Sequence, residues 1–242
     1  MHAFPLSKAM WEQTHHFFSK NFQVISLDLP GFGYSPEAKH VHTMDFMAEQ
    51  VEFQLSKIIQ NQKIVLSGIS MGGYVGLRYF KMFPEKIRAL GLISTRALPD
   101  SLETKEKRKQ NIALIESAGV SAFAERMIPA LLGKESFESD KMLVNKVREE
   151  IIKNKPEGLS AALRGMAERF DSTALLSDIN CPVLVLSGEE DSVIPSSEME
   201  KMAHQLRKAD FRVIKKAGHL LPLEQSNMFH ESFLSFLKKN VL

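Results

Sequence analysis

Cysteine is almost absent from this chain of 242 residues, so no internal disulfide can staple the fold. The one thiol, Cys181, opens an apolar run and is expected to be buried and structural. Charge of one sign is also lacking: 31 Lys and Arg against 29 Asp and Glu leave a formal net charge of +2, spread along the chain. That distribution offers no electrostatic footprint for nucleic acid. No apolar run approaches the roughly 18 residues of a membrane-spanning helix. Nor does the N-terminus carry the cationic start and apolar stretch of a secretory signal. A reducing, cytoplasmic setting is the expectation. His40 and His42 stand at i, i+2 without the Cys, His or carboxylate pattern that a metal site needs, so no metal is expected. The glycines Gly31 and Gly33 begin a G-x-G spacing, but Pro36 stands where a dinucleotide loop needs its third glycine.

What is present fits one sizeable core: 44% of the residues are hydrophobic and 25% charged. Residues 11–20 carry apolar and aromatic positions in a helical window, and 22–27 read as a buried strand. From Thr43, a plausible cap, apolar residues recur at Phe46, Met47, Val51, Leu55, Ile58 and Ile59 with helical spacing. Residues 63–69 then read as a strand, the following residues as a helix ended by Pro84, and 87–94 as a further strand. This alternation predicts a parallel sheet with right-handed crossovers. After Pro99 the texture changes, with no strand-like run for about 75 residues. Four helices are expected near 101–117, 120–132, 137–154 and 157–169, separated by Gly119, Gly133 and Pro156. A strand at 182–187, a helix at 196–207, a strand at 211–214 and an amphipathic helix at 225–238 complete the chain.

Chemistry concentrates in Gly68-Ile69-Ser70-Met71-Gly72, placed between a predicted strand and a predicted helix. This is the G-x-S-x-G pattern of a nucleophile elbow, in which small residues let strand and helix approach around a strained serine. Here the chain resembles the α/β-hydrolase superfamily, in particular its lid-bearing serine esterases and lactonases. His2-Ala3-Phe4-Pro5 resembles the His-Gly-Phe-Pro loop of that family, Asp28 to Ser35 its Asp-x-x-Gly-x-Gly-x-Ser loop, and Gly188 to Pro195 its Gly-x-x-Asp-x-x-x-Pro loop. Gly218-His219 follows the last strand. The resemblance implies an α/β-hydrolase core made of residues 1–96 and 178–242, with a helical lid at 97–177. It also implies a triad of Ser70, Asp191 and His219, and an oxyanion hole from the N–H groups of Phe4 and Met71. Glu189 and Glu190 flank Asp191 as rival acids. Asp28 is expected to be structural.

Two departures from the family follow. Ala3 replaces a glycine, at a cost of roughly 1–2 kcal/mol if the site needs a left-handed backbone. About three strands that usually precede the His-Gly-Phe-Pro loop have no counterpart. The strand that normally lies between 23–29 and 63–69 is thus missing, and the expectation is that these two pair directly or that another chain fills the gap. An unpaired sheet edge also favours a homodimer.

The expected function is that of a carboxylesterase-like serine hydrolase acting on a small-molecule ester with a small or medium acyl chain. No cofactor is required. Trp11, Met127, Leu131 and Leu220 are the candidate pocket residues. Lactonase and carbon–carbon bond hydrolase activities use the same three residues and remain open, as does a ligand receptor with a vestigial site.

Overall fold

A computed structural model describes residues 1–36, 41–60 and 62–242; His40 lies outside them. The sheet has four parallel strands in the order β1 (Ile64–Ile69), β2 (Ile87–Ile93), β3 (Val183–Gly188) and β4 (Ala209–Ile214). Burial follows position in the sheet. Strand β3, paired on both edges, is buried along its whole length, as its unbroken Val-Leu-Val-Leu run requires, whereas β4 at the margin is half-exposed. Parallel strands need crossovers, and the helices supply them.

The helices are α1 (Glu12–Phe18), α2 (Met44–Leu55), α3 (Met71–Met82), α4 (Leu102–Leu131), α5 (Lys134–Ser139), α6 (Lys141–Ile152), α7 (Pro156–Ala167), α8 (Thr173–Leu176), α9 (Ser196–Ala203), α10 (Leu221–Glu224) and α11 (Ser226–Asn240). Local chemistry explains most of their starts. The Thr43 Oγ1 accepts from the Phe46 N–H at the head of α2, and Asp140 caps α6 by accepting from Leu143 N–H. Helix α2 buries Met44, Met47, Ala48, Val51 and Leu55, the i, i+3, i+4, i+7 stripe legible in its sequence. Helix α4 breaks at Gly119, whose φ of 81° is not helical, so two helices meet where the sequence places its separator.

The segment from α4 to α7 leaves the sheet after β2 and returns before β3. Its two ends are tied together, since Ser172 N–H donates to Ala97 O at 2.9 Å. Beside this junction the buried Asp100 carboxylate takes both Arg108 and Arg169, and Arg169 also donates to Leu98 O. Burial works to raise the Asp100 pKa, but the two guanidinium groups outweigh it and hold the carboxyl below its usual range.

The sheet departs from expectation on its N-terminal side. Residues 22–27 are not a strand, and 23–29 do not pair with β1. Instead an apolar cavity of about 330 Å³ separates residues 23–27 from residues 63–67. One residue bridges its end: the Met1 amine donates to Ser67 O at 2.7 Å, and Ile69 N–H donates to Met1 O at 3.3 Å. The composition of 22–27 is β-prone, but a strand exists only where a second backbone supplies its ladder. Cys181 is half-buried rather than fully enclosed, and burial raises its pKa.

Candidate active site

Ser70 sits where β1 ends and α3 begins, with φ 53° and ψ −117°, a backbone region that L-residues avoid. The surroundings hold it there. Ser70 N–H donates to Ile93 O on β2, and Thr95 Oγ1 donates to Ser70 O at 2.9 Å. Both flanking glycines are sterically required. A Cβ on Gly68 would stand 2.1 Å from Gly72 O, and one on Gly72 would stand 2.6 Å from Met1 O. The second contact matters for the site, because it lets the N-terminal residues pass directly beside the elbow.

Those residues are buried and ordered by hydrogen bonds. His2 Nδ1 lies 3.0 Å from Ala3 O, and Leu29 N–H donates to His2 Nε2 at 3.0 Å. These partners assign the neutral tautomer with the proton on Nδ1. Burial pushes the His2 pKa down to about 4, which keeps the ring neutral near pH 7. Ala3 is absent from the residues with positive φ, so its Cβ meets no left-handed strain. Among the described residues, the N–H groups of Phe4 and Met71 have no protein acceptor outside regular helix pairing. Met71 N–H belongs to the first turn of α3, whose N-terminus carries the positive end of the helix dipole. Asp28 accepts from the N–H groups of Lys8 and Tyr34 and thereby braces the adjoining loop.

On the other side of the sheet edge, Asp191 follows β3 and His219 follows β4. The two side chains are buried, with His219 Nδ1 at 2.9 Å from Asp191 Oδ2 and 3.1 Å from Oδ1. Oδ1 also accepts from the N–H groups of Val193 and Ile194. Burial alone would raise the Asp191 pKa, but His219, the Ile194 N–H and the nearby Ser94 outweigh it and hold the carboxyl below its usual range. The Ser94 hydroxyl contributes by proximity, since it makes no hydrogen bond of regular geometry. Glu189 and Glu190 are engaged elsewhere: Glu189 accepts from Lys216 N–H, and Glu190 accepts from Lys134 N–H. Ser70, Asp191 and His219 thus stand after three strands at the C-terminal edge of one parallel sheet, where ligand sites of open α/β sheets collect.

A residue that sequence reasoning passed over organises the histidine loop. Glu224 Oε1 accepts from the N–H groups on both sides of His219, Gly218 at 3.0 Å and Leu220 at 3.1 Å. Its Oε2 accepts from Gly133 N–H at 2.7 Å, just beyond the end of α4. The backbones are close enough that a Cβ on Gly218 would stand 2.2 Å from Gly133 N. Leu220 N–H is shared with Leu131 O at 3.1 Å. Burial pushes the Glu224 pKa up, partly offset by these N–H donors and Ser136. Glu224→Gln keeps the size but turns an amide donor toward one of the three N–H groups. It is expected to cost about 1–3 kcal/mol in denaturant unfolding, the penalty of a buried donor left unpaired. It should also lower kcat more than it raises KM, because it displaces the His219 loop; unchanged unfolding and unchanged kcat would contradict this role.

The helical segment is stitched to both halves of this edge. Beyond the Leu131 and Gly133 contacts, Asn154 Nδ2 donates to Pro5 O, Gly33 N–H donates to Asn154 Oδ1, and Ser7 Oγ donates to Glu150 Oε2. Phe123 of α4 packs edge-on against Phe4, with centroids 5.9 Å apart, and Phe32 meets Phe4 at 6.1 Å. Leu131 and Leu220 are buried beside the His219 loop, and Met127 is half-buried on α4. Trp11 lies elsewhere, against Phe229 and lining the cavity between 23–27 and 63–67. Among the described residues no cluster suited to a metal ion is found, and no helix is long and apolar enough to cross a membrane.

Comparison with known proteins agrees with this architecture. A family model described as the alpha/beta hydrolase fold matches residues 1–226. The chain is similar to a thermophilic esterase from Thermogutta terrifontis, solved with malate bound, at 39% identity and a TM-score of 0.95 over 98% of this chain and 88% of that one. It is 24% identical to the 3-oxoadipate enol-lactonase 2 of Acinetobacter baylyi, over 96% of this chain and 84% of the relative. It is 27% identical to the dihydrolipoyllysine-residue acetyltransferase component of the acetoin cleaving system of Pseudomonas putida, over 99% of this chain, which spans 63% of that relative's length. With the family model covering nearly the whole chain and the site lying at the C-terminal edge of its parallel sheet, the protein belongs to the α/β-hydrolase fold family.

Proposed function

We propose that the protein is a serine hydrolase that cleaves carboxylic esters of small or medium acyl chain through a covalent acyl-enzyme. The observation that carries this reading is the strained Ser70 at the head of α3 on the same sheet edge as the buried His219–Asp191 pair. The similarity to the Thermogutta terrifontis esterase supports it.

In this mechanism Ser70 Oγ attacks the ester carbonyl while His219 Nε2 takes its proton. Asp191 holds the proton of Nδ1 and stabilises the imidazolium. The carbonyl oxygen becomes an oxyanion and accepts from Phe4 N–H and Met71 N–H; one such donor is worth about 10²–10³ in rate. His219 returns the proton to the leaving alkoxide, the C–O bond breaks, and the alcohol departs. Water then attacks the acyl-serine by the same route in reverse, releasing the acid and restoring Ser70. The helical segment from α4 to α7 acts as a lid, held over the Phe4 loop by the packing of Phe123 on Phe4.

A lactone is an internal ester and needs the same groups, and the similarity to an enol-lactonase favours it as a second reading. Stopped-flow mixing with p-nitrophenyl esters of increasing chain length, beside a panel of lactones, tests both. A nitrophenolate burst stoichiometric with enzyme, followed by steady turnover, is the expected result. Absence of both burst and covalent labelling of Ser70 would overturn the mechanism and favour a non-catalytic ligand receptor.

A further inference from the structure

The Phe4 N–H is aimed by a chain of peptide groups whose far end is held by the helical segment. Ala3 O is fixed from two sides, by Leu6 N–H at 2.9 Å and by His2 Nδ1 at 3.0 Å. The Ala3–Phe4 peptide is trans and planar, so its N–H points directly away from that carbonyl. Whatever fixes Ala3 O therefore fixes the direction of Phe4 N–H. The same holds one peptide further on. Leu6 N–H belongs to the trans Pro5–Leu6 peptide, and Pro5 O, at the opposite end of that group, accepts from Asn154 Nδ2 at 2.9 Å. One line of dipoles thus runs from Asn154 through Pro5–Leu6 and Ala3–Phe4 to the Phe4 N–H, and hydrogen bonds in series polarise one another.

Asn154 lies between α6 and α7, two residues past Ile152, and is 4% exposed. Its side chain is fully engaged. Beyond Pro5 O, Nδ2 donates to Glu150 O at 3.0 Å, which ties the amide to its own helix, and Oδ1 accepts from Gly33 N–H at 3.0 Å. One buried amide therefore joins α6, the Phe4 loop and the Asp28–Ser35 loop. A carboxylate of the same shape keeps the acceptor for Gly33 but has no hydrogen to give Pro5 O. The nearby Ser7–Glu150 hydrogen bond also links α6 to the core, yet it is made by a side chain outside the line of peptides.

We propose that Asn154 is a positioning residue for the oxyanion hole: from the lid it orients and polarises the Phe4 N–H through the two intervening peptides. This role rests on the serine hydrolase reading, in which Phe4 N–H receives the oxyanion. The donor is then set only while the stretch between α6 and α7 is docked on the Phe4 loop. The effect belongs to the transition state. A bound ester carbonyl is a weak acceptor and tolerates a poorly aimed N–H, whereas the oxyanion gains from a donor already in place.

Asn154→Ala, Asn154→Asp and Ser7→Ala are compared with the unsubstituted protein by three measurements. These are stopped-flow hydrolysis of p-nitrophenyl butyrate, inhibition by an alkyl trifluoromethyl ketone whose adduct with Ser70 carries an oxyanion, and the amide NMR signals of Phe4 and Leu6. Asn154→Ala removes the donor to Pro5 O. Asn154→Asp removes it while keeping the Gly33 contact, and carries the test if the alanine variant does not fold. Both are expected to lower the acylation rate by about 10- to 100-fold, part of the roughly 10²–10³ that a whole oxyanion donor is worth, with KM within about 3-fold. Ketone inhibition should weaken by the same factor, and the Phe4 and Leu6 signals should move together. Ser7→Ala breaks a contact of the same helix outside the line of peptides and should leave all three readouts near those of the unsubstituted protein. Acylation unchanged in the Asn154 variants, an equal loss in Ser7→Ala, or a rise in KM that accounts for the loss would overturn the proposal, as would Phe4 and Leu6 signals that stay in place. Absence of hydrolysis and of Ser70 labelling in the unsubstituted protein would overturn the hydrolase reading instead. The amide signals then decide by themselves whether Asn154 sets the Phe4 N–H.

Discussion

Ser70→Ala is expected to lower ester turnover by about 10⁴- to 10⁶-fold and to leave folding stability nearly unchanged. The chemical loss follows from removal of the proposed nucleophile, with residual rate supplied by binding and the two N–H donors. The stability claim follows from the backbone. At φ 53° the strain arises from Cβ, which alanine retains, so the substitution neither adds nor relieves it. Ser70→Gly makes the contrast sharp. It removes the same hydroxyl and the Cβ, and should be equally inactive yet more stable by about 1–2 kcal/mol, less the greater entropy of glycine in the unfolded chain. Turnover of p-nitrophenyl acetate and urea unfolding of the three proteins check both parts. Retention of most turnover by Ser70→Ala would remove the acyl-enzyme mechanism altogether.

Asp191→Asn is expected to lower kcat by about 10⁴-fold, again with a small change in fold. The reason is tautomeric. Asp191 Oδ1 already accepts from the N–H groups of Val193 and Ile194. An asparagine keeps those bonds by placing its amide oxygen there, which turns its NH₂ group toward His219 Nδ1. A donor facing Nδ1 forces the ring proton onto Nε2, the nitrogen that must accept from Ser70. The imidazolium formed during attack also loses its carboxylate. Steady-state kinetics across pH, with circular dichroism as a check on folding, measures the effect. A loss under about 10-fold would show that Asp191 holds the loop at Val193 and Ile194 without serving the histidine.

The two variants differ in what they ask of the structure. Ser70 depends on a local turn made by its own neighbours, Gly68 and Gly72, and on Thr95 beneath it. Asp191 depends on two loops from different strands meeting in a buried place. The first is written in five consecutive residues; the second requires β3 and β4 to pair in register before Asp191 and His219 can touch.

The sequence by itself determined which segments alternate as strand and helix, because periodicity, caps and breakers such as Thr43, Gly119 and Pro84 act within one or two turns of chain. It also determined the order Ser70, Asp191, His219, since each follows its own strand. Only the tertiary structure decided matters that rest on non-local partners. Residues 22–27 have strand composition, yet without a second backbone alongside they form no strand and line a cavity. Trp11 is a candidate pocket residue by sequence, but in the fold it packs against Phe229 and lines that cavity. Glu224 has no local signature, because its role arises when the loop after β4 and the end of α4 bring three N–H groups around one half-buried carboxylate.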